Sequence, residues 1–127
     1  MIGYVTLGSN DIKSAAAFYD ELFKLMGAGR LMDMGEFILW GASMDASGLA
    51  VTKPYDGNAA TVGNGVMVAI RADTKEQVDA IYNKAIELGG QDEGAPGPRD
   101  DDGVFYAGYF RDLDGNKLNA FCMSMPG

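Results

Sequence analysis

The sequence contains two copies of one pattern, about half a chain length apart. A shift of 63 positions places Val5 on Val68, Tyr19 on Tyr82 and Leu25 on Leu88. The matching residues fall at equivalent points of each copy, in a short strand-like segment and in the helical stripe that follows it. A repeat of this length in a chain of 127 residues indicates that one supersecondary unit was duplicated.

The first copy begins with a strand and a helix. Residues 2–7 alternate and contain β-branched side chains, which is typical of a strand. Ser9 and Asn10 are residue types that cap helices, and apolar residues then recur at helical spacing as far as Met26. Gly27 follows that stripe and predicts the end of the helix.

The second copy has the same order of signals. Residues 66–70 form the strand-like segment, and Thr74 with Gln77 has the spacing of a capping box. A helical stripe covers residues 78–88, and the glycine pair 89–90 ends it. The second half therefore also begins with a strand and a helix.

Strand-like segments follow each helix. They cover residues 30–33, 37–41, 49–52, 103–111 and 117–123, with a hairpin loop at 112–116 and a glycine- and proline-rich loop at 94–103. We predict a βαβββ module in each half, about residues 1–53 and 65–127, joined by a connector at 54–64. All 127 residues form one domain by size.

This arrangement resembles the vicinal oxygen chelate superfamily, which includes glyoxalase I, bleomycin-resistance proteins, fosfomycin-resistance proteins and extradiol dioxygenases. The resemblance lies in residues 4–11, 18–20 and above all 105–118. The last segment resembles the closing hairpin of the family, with Leu113 in place of the usual proline. The resemblance implies an α+β fold in which two tandem βαβββ modules form a curved sheet around a cavity.

The resemblance also implies a metal site, but other residues stand at its ligand positions. Tyr4 and Met67 stand where the family has histidines, Asn119 stands where it has a glutamate, and Ala50 is near the related position of the first half. The sequence has no histidine at all. A phenol, a thioether and an amide do not supply the donors that zinc, iron or nickel needs. We therefore expect no metal at this site and no other cofactor.

The strand alternation predicts a cavity at the same positions. Tyr4, Met67 and Asn119 should share one concave face, opposite the residues that pack on the helices. Trp40 and Tyr106 are candidate additional walls. We expect these five residues to bind a ligand, and no catalytic residue is assigned.

The sequence supports less specific predictions for four further residues. Tyr109 is another candidate wall of the cavity. Arg99 and Arg111 are candidates for contacting an anion, although a surface role is favoured for both. Cys122, the only cysteine, should be a buried structural thiol that points toward a helix.

Composition limits the classes of partner and the compartment. The net charge of −8 argues against nucleic acid and anionic membranes, and it permits a cationic ligand. No apolar run approaches the roughly 20 residues of a membrane span. A single cysteine and no leader-like segment indicate a cytoplasmic protein.

Two functions from different classes fit the sequence. The first is a metal-free protein that binds a small organic molecule, aromatic or cationic, as bleomycin-resistance proteins do. The second is a metal-independent lyase or isomerase in which Tyr4 or a carboxylate transfers a proton. A homodimer is expected, since paired modules leave apolar edges. The sequence names neither the ligand nor the pathway, and it leaves open whether one chain or two enclose the cavity.

Overall fold

The computed structural model describes residues 1–123 and contains the βαβββ order twice. The first module consists of β1 (Tyr4–Gly8), α1 (Ile12–Lys24), β2 (Gly29–Asp33), β3 (Phe37–Gly41) and β4 (Gly48–Thr52). The second consists of β5 (Val68–Arg71), α2 (Lys75–Glu87), β6 (Gln91–Pro98), β7 (Phe105–Arg111) and β8 (Lys117–Met123). The predicted α+β architecture is confirmed.

The strands form two four-stranded sheets with matching topology. Their orders are β1-β4-β3-β2 and β5-β8-β7-β6, so β1 and β5 are both edge strands. Each pairs in parallel with the last strand of its module, and the remaining pairs are antiparallel. Thr6 lies opposite Ala50 in the first sheet, and Ala69 lies opposite Asn119 in the second. Thr6 and Ala69 are 63 residues apart, which is the spacing of the sequence repeat.

The two helices also keep that spacing, since each has 13 residues and their first residues are 63 positions apart. The predicted cap of α2 at Thr74 is confirmed, because Thr74 Oγ1 accepts a 3.1 Å hydrogen bond from the backbone N–H of Gln77. The Gln77 side chain accepts from the Asp73 N–H and not from that of Thr74, so the capping box is not reciprocal. In α1 the N-cap is Asp11, not the predicted Ser9 or Asn10. The Asp11 carboxylate accepts from the Ser14 N–H, which satisfies an otherwise free donor of the first turn.

The segment predicted as a loop at 94–103 is partly a strand, since β6 extends from Gln91 to Pro98. That prediction was wrong because Pro96 and Pro98 lie on an edge strand. A proline has no backbone N–H to donate, and a strand at the edge of a sheet tolerates this better than an inner strand does. The pairing with β7 shifts register on both sides of Gly94. The strand is therefore irregular, which explains its weak sequence signal.

The helices and one face of each sheet form the core. Alternate residues of the inner strands, including Val51, Phe110 and Leu118, are buried against helix residues such as Leu22 and Ile81. Cys122 is buried in the same cluster, as predicted. The opposite face of each sheet faces away from the helices, and we call these two surfaces the open faces. No helix among residues 1–123 is long and apolar enough to cross a membrane.

The loop between β7 and β8 joins the two modules. The Asn116 side-chain amide donates to the Gly8 carbonyl at 3.0 Å, and Asp114 Oδ1 accepts from the Asn10 N–H at 2.8 Å. The Tyr19 hydroxyl donates to Asp112 Oδ2 at 2.7 Å. The hairpin that carries the family resemblance therefore contacts the start of the first module.

Candidate functional site: a cavity between the edge strands

A cavity of about 600 Å³ is lined by residues of both modules. Its walls come from β1, the end of α1, the β3–β4 turn and β5, and they are mostly apolar. The apolar residues of the wall include Val5, Phe23, Met26, Trp40, Met67 and Ile70. The volume falls within the range of roughly 300–1,000 Å³ that is typical of small-molecule sites.

Trp40 is a rigid part of the wall. Its indole N–H donates a 2.8 Å hydrogen bond to Asp20 Oδ1, and its ring packs against Tyr19 and Phe23. Arg30 donates two further hydrogen bonds to Asp20, at 2.9 and 2.8 Å. The Arg30 guanidinium, together with the Trp40 indole, holds the pKa of the Asp20 carboxyl below its usual value. The ionised carboxylate therefore holds the indole in place.

The cavity has few polar groups. Arg71, at the end of β5, is the only charged side chain of its wall among the described residues. The Ser47 hydroxyl, also in the wall, donates to the Ile2 carbonyl at 2.8 Å. No carboxylate lies in the described wall, and arginine does not give up its proton in proteins. The wall therefore presents no group suited to act as a general base.

The five predicted site residues lie in four different places. Met67 and Trp40 both line the cavity, although Met67 immediately precedes β5 instead of lying within it. Tyr4 belongs to the open face of the first sheet, is 55% exposed and contacts Phe37 edge to face. Asn119 belongs to the open face of the second sheet.

Tyr106 lies on the helix-facing side of β7 and is absent from the cavity wall. Its hydroxyl donates to Asp79 on α2 at 2.6 Å, and this hydrogen bond raises the pKa of Tyr106. The alternation of β7 is the physical reason, because Tyr106 shares a face with the buried Phe110, whereas Tyr109 lies on the other face. Tyr106 was expected in the cavity wall, and the structure places it against α2 instead.

Asn119 is buried and incompletely hydrogen-bonded. Its side chain is 1% exposed, and its Oδ1 atom has no hydrogen-bond partner among the described residues. It lies directly between Ala69 of β5 and Tyr109 of β7. Ala69 also lines the cavity, so Asn119 is the strand neighbour of a cavity residue.

The residues present do not fit the metal that the fold implies. The three positions hold a phenol, a thioether and an amide, and the related Ala50 has no donor and is fully buried. Within residues 1–123 no three side chains of His, Cys, Asp or Glu lie together as a potential ligand set. First-row transition metals need several nitrogen, thiolate or carboxylate donors that converge.

Sequence reasoning missed several parts of the wall. Phe23, Met26 and Ile70 are part of apolar segments that predict packing, and Arg71 is not among the residues predicted to line the cavity. The available signal for Arg71 was a charged residue directly after an apolar strand segment, at residues 66–70. Asp20 was also missed, because the indole and the guanidinium that it binds come from other elements.

The comparisons with known proteins agree with this fold. Residues 1–120 match the Glyoxalase/Bleomycin resistance protein/Dioxygenase superfamily. A glyoxalase/bleomycin resistance protein from Albidiferax ferrireducens T118 is 34% identical and superposes with a TM-score of 0.88, covering 98% of this chain and 99% of that one. The chain therefore belongs to the glyoxalase/bleomycin resistance protein/dioxygenase superfamily.

Two more distant structures share the fold. A glyoxalase/bleomycin resistance protein/dioxygenase family enzyme from Burkholderia phytofirmans PsJN is 19% identical, with a TM-score of 0.75 and coverage of 96% of this chain and 98% of that one. A lactoylglutathione lyase from Agrobacterium tumefaciens is 21% identical, with a TM-score of 0.68 and coverage of 96% and 92%. Among curated proteins, none matches this sequence significantly.

Proposed function

We propose that the protein binds a small organic molecule with an aromatic part in the cavity between β1 and β5, without a metal ion. The observation that carries the proposal is the wall itself. It combines about 600 Å³ of space with mostly apolar side chains, and it borders the fixed indole of Trp40, which is itself only 1% exposed. Aromatic walls of this kind suit planar apolar groups, and a few polar groups orient them.

The alternative, a metal-independent lyase or isomerase, has less support. Such an enzyme needs a proton acceptor within hydrogen-bond reach of its substrate. The described wall contains no carboxylate, and Tyr4 belongs to the open face of the first sheet. Binding without chemical conversion is therefore the function that we favour.

The proposal includes a homodimer in the cytoplasm. Tyr4, Met67 and Met123 are 55%, 40% and 50% exposed, which are high values for large apolar side chains. A second copy of the chain would cover such residues, because symmetric dimers use self-complementary patches. Light scattering coupled to gel filtration gives the mass, and a monomer at micromolar concentration would exclude the dimer. The cytoplasmic location remains a prediction.

Fluorescence tests the binding proposal directly, because Trp40 is the only tryptophan and lies in the wall. The probe is N-phenyl-1-naphthylamine, an uncharged aromatic molecule that accepts energy from tryptophan. We expect saturable energy transfer from Trp40. A ligand at 100 times its Kd should also add about 2.7 kcal/mol to the free energy of unfolding.

A pair of matched variants locates the binding. Ala69→Phe adds an aromatic ring at an exposed strand position in the wall, and we expect at least about tenfold weaker binding of the probe. Thr6→Phe is the control, since Thr6 is the counterpart of Ala69 in the repeat and lies outside the wall. Its Kd should stay within about twofold of the parent. Equal weakening in both variants, or no binding to the parent, would contradict the proposal.

A further inference from the structure

Positive charge is concentrated on one surface of this acidic protein. Strand alternation puts Arg71 of β5, Arg111 of β7 and Lys117 of β8 on the open face of the second sheet. Arg99 joins them, because its guanidinium lies 5.1 Å from the ring centroid of Tyr109 on the same face. Four of the ten lysines and arginines of a chain with net charge −8 therefore share this face.

Three of these four cations have no ion pair within residues 1–123. Arg111 is neutralised by Glu93, whose Oε1 accepts from its Nε at 2.6 Å. Arg71, Arg99 and Lys117 form no salt bridge with a described residue. The charge of this face is therefore not neutralised by the described residues of one chain.

The cations share the open face of the second sheet with Asn119, whose Oδ1 has no partner among the described residues. Arg99 and Lys117 lie 5.1 and 5.8 Å from the ring centroid of Tyr109, and Tyr109 is directly opposite Asn119. Arg71 is diagonal to Asn119 on the neighbouring strand, since Ala69 faces Asn119 and Arg71 faces Phe121. A buried polar atom without a partner costs free energy and calls for an explanation. A carboxylate or sulfonate only accepts hydrogen bonds, so it would pair with the Nδ2 amide of Asn119, which donates, and not with Oδ1.

We propose that this face is a subsite for the anionic group of the ligand, which we identify as an aromatic carboxylate, sulfonate or phosphate. The inference rests on the proposed function, because Ala69 and Arg71 belong both to this face and to the cavity wall. The aromatic part occupies the cavity, and the anion is attracted by Arg71 and Lys117. The Nδ2 amide of Asn119 donates a hydrogen bond to the anion, since the oxygens of the anion accept.

This subsite reverses the charge expected of the ligand. The net charge of −8 favours cations on average, but the charge next to the cavity is positive. A bound ligand feels the nearby charges most strongly, because salt screens charges more than about 8 Å away at physiological ionic strength. A cationic ligand would instead be repelled by Arg71.

Arg99 has a structural role as well. Its guanidinium donates to the Ala107 carbonyl at 3.1 Å and to the Ala95 carbonyl, which ties β6 to β7. A variant at Arg99 would therefore change the sheet as well as the charge. The decisive variants are Arg71→Gln and Lys117→Gln, because no hydrogen bond from either side chain to residues 1–123 is present.

Two probes that share one aromatic framework test the subsite. The anionic probe is 8-anilinonaphthalene-1-sulfonate, and the neutral one is N-phenyl-1-naphthylamine, which lacks the sulfonate. We expect the parent protein to bind the sulfonate more tightly. Lys117→Gln, which lies outside the cavity wall, should weaken sulfonate binding about fivefold and leave the neutral probe within about twofold. Arg71→Gln changes the wall itself and should weaken the sulfonate about fivefold more than the neutral probe. The control Lys13→Gln removes an equal charge from an exposed helix position and should change neither probe.

The two probes separate the two proposals. Equal affinities for both probes, or loss of sulfonate affinity in Lys13→Gln as well, would overturn the anion subsite and leave the cavity function intact. Failure of the neutral probe to bind the parent would overturn the cavity function, and the sulfonate series would still report on the anion subsite. Raising the salt concentration from 50 mM to 500 mM should weaken only the sulfonate.

Discussion

The hydroxyl of Tyr19 donates a 2.7 Å hydrogen bond to Asp112 Oδ2, and both side chains are buried although 93 residues separate them. Asp112 also accepts from the backbone N–H groups of Asp114 and Asn116, each at 2.9 Å. Burial, together with the Asp112 carboxylate, raises the pKa of Tyr19 well above its usual value. The closing hairpin of the second module is therefore hydrogen-bonded to the first module.

Tyr19→Phe should destabilise the protein by about 2 kcal/mol, because the buried Asp112 carboxylate loses a charge-assisted hydrogen bond. Urea unfolding measures the change. Tyr82→Phe is the matched control, since Tyr82 is the repeat counterpart and bonds to Asp92 within its own module. The control should lose about 1 kcal/mol or less. A larger loss in the control would contradict a special role for the contact between modules.

Stability should fall at alkaline pH through Tyr82. The hydrogen bond to Asp92, with burial, raises the pKa of Tyr82 to about 12 from its usual 10.0. Because the folded pKa exceeds the unfolded one, this contribution is complete below pH 10 and is lost as pH rises toward 12. Thermal melts of the parent and of Tyr82→Phe from pH 8 to pH 12 should converge at the upper end. Parallel curves would refute the shift.

Asn119→Leu should raise the free energy of unfolding by about 1 kcal/mol, because a buried atom without a partner is replaced by an apolar group of similar size. The same variant should bind 8-anilinonaphthalene-1-sulfonate more weakly. Asn116→Leu is the control, since its amide donates to Gly8 and Asp112. We expect that control to lose about 2 kcal/mol. A destabilised Asn119→Leu would show that the amide has a structural partner.

The purified protein should contain no stoichiometric zinc, iron, nickel or manganese. Tyr4, Met67 and Asn119 do not form a donor set for these ions. Elemental analysis before and after incubation with zinc, followed by desalting, measures the content. The variant with Tyr4→His, Met67→His and Asn119→Glu serves as the comparison and should retain zinc only if the three positions converge. One equivalent of metal in the parent would refute the prediction.

Much of the fold could be predicted because its signals are local. The helical stripes, the Thr74–Gln77 cap and the alternation of β7 and β8 depend on residues within a few positions of one another. The weakest prediction concerned β6, whose prolines and glycines are acceptable only because the strand lies at a sheet edge. Edge position is a property of the assembled sheet.

The candidate site could be predicted only in part. Trp40 and Met67 were named from the sequence and do line the cavity, but Tyr4, Tyr106 and Asn119 lie elsewhere. The cavity forms where β5 approaches the end of α1 and the β3–β4 turn, so its shape depends on how the modules pack. Whether the five named residues bind a ligand remains a prediction.

The sequence by itself determined the duplicated βαβββ order, the closing hairpin and the absence of histidine. These features follow from spacing and residue type, which do not change on folding. Only the tertiary structure decided that Tyr106 packs on α2, that Arg71 is the charge in the cavity wall and that Asn119 is buried with no partner for Oδ1 among the described residues. Each of these depends on neighbours from distant parts of the chain, and the packing of two modules brings them together.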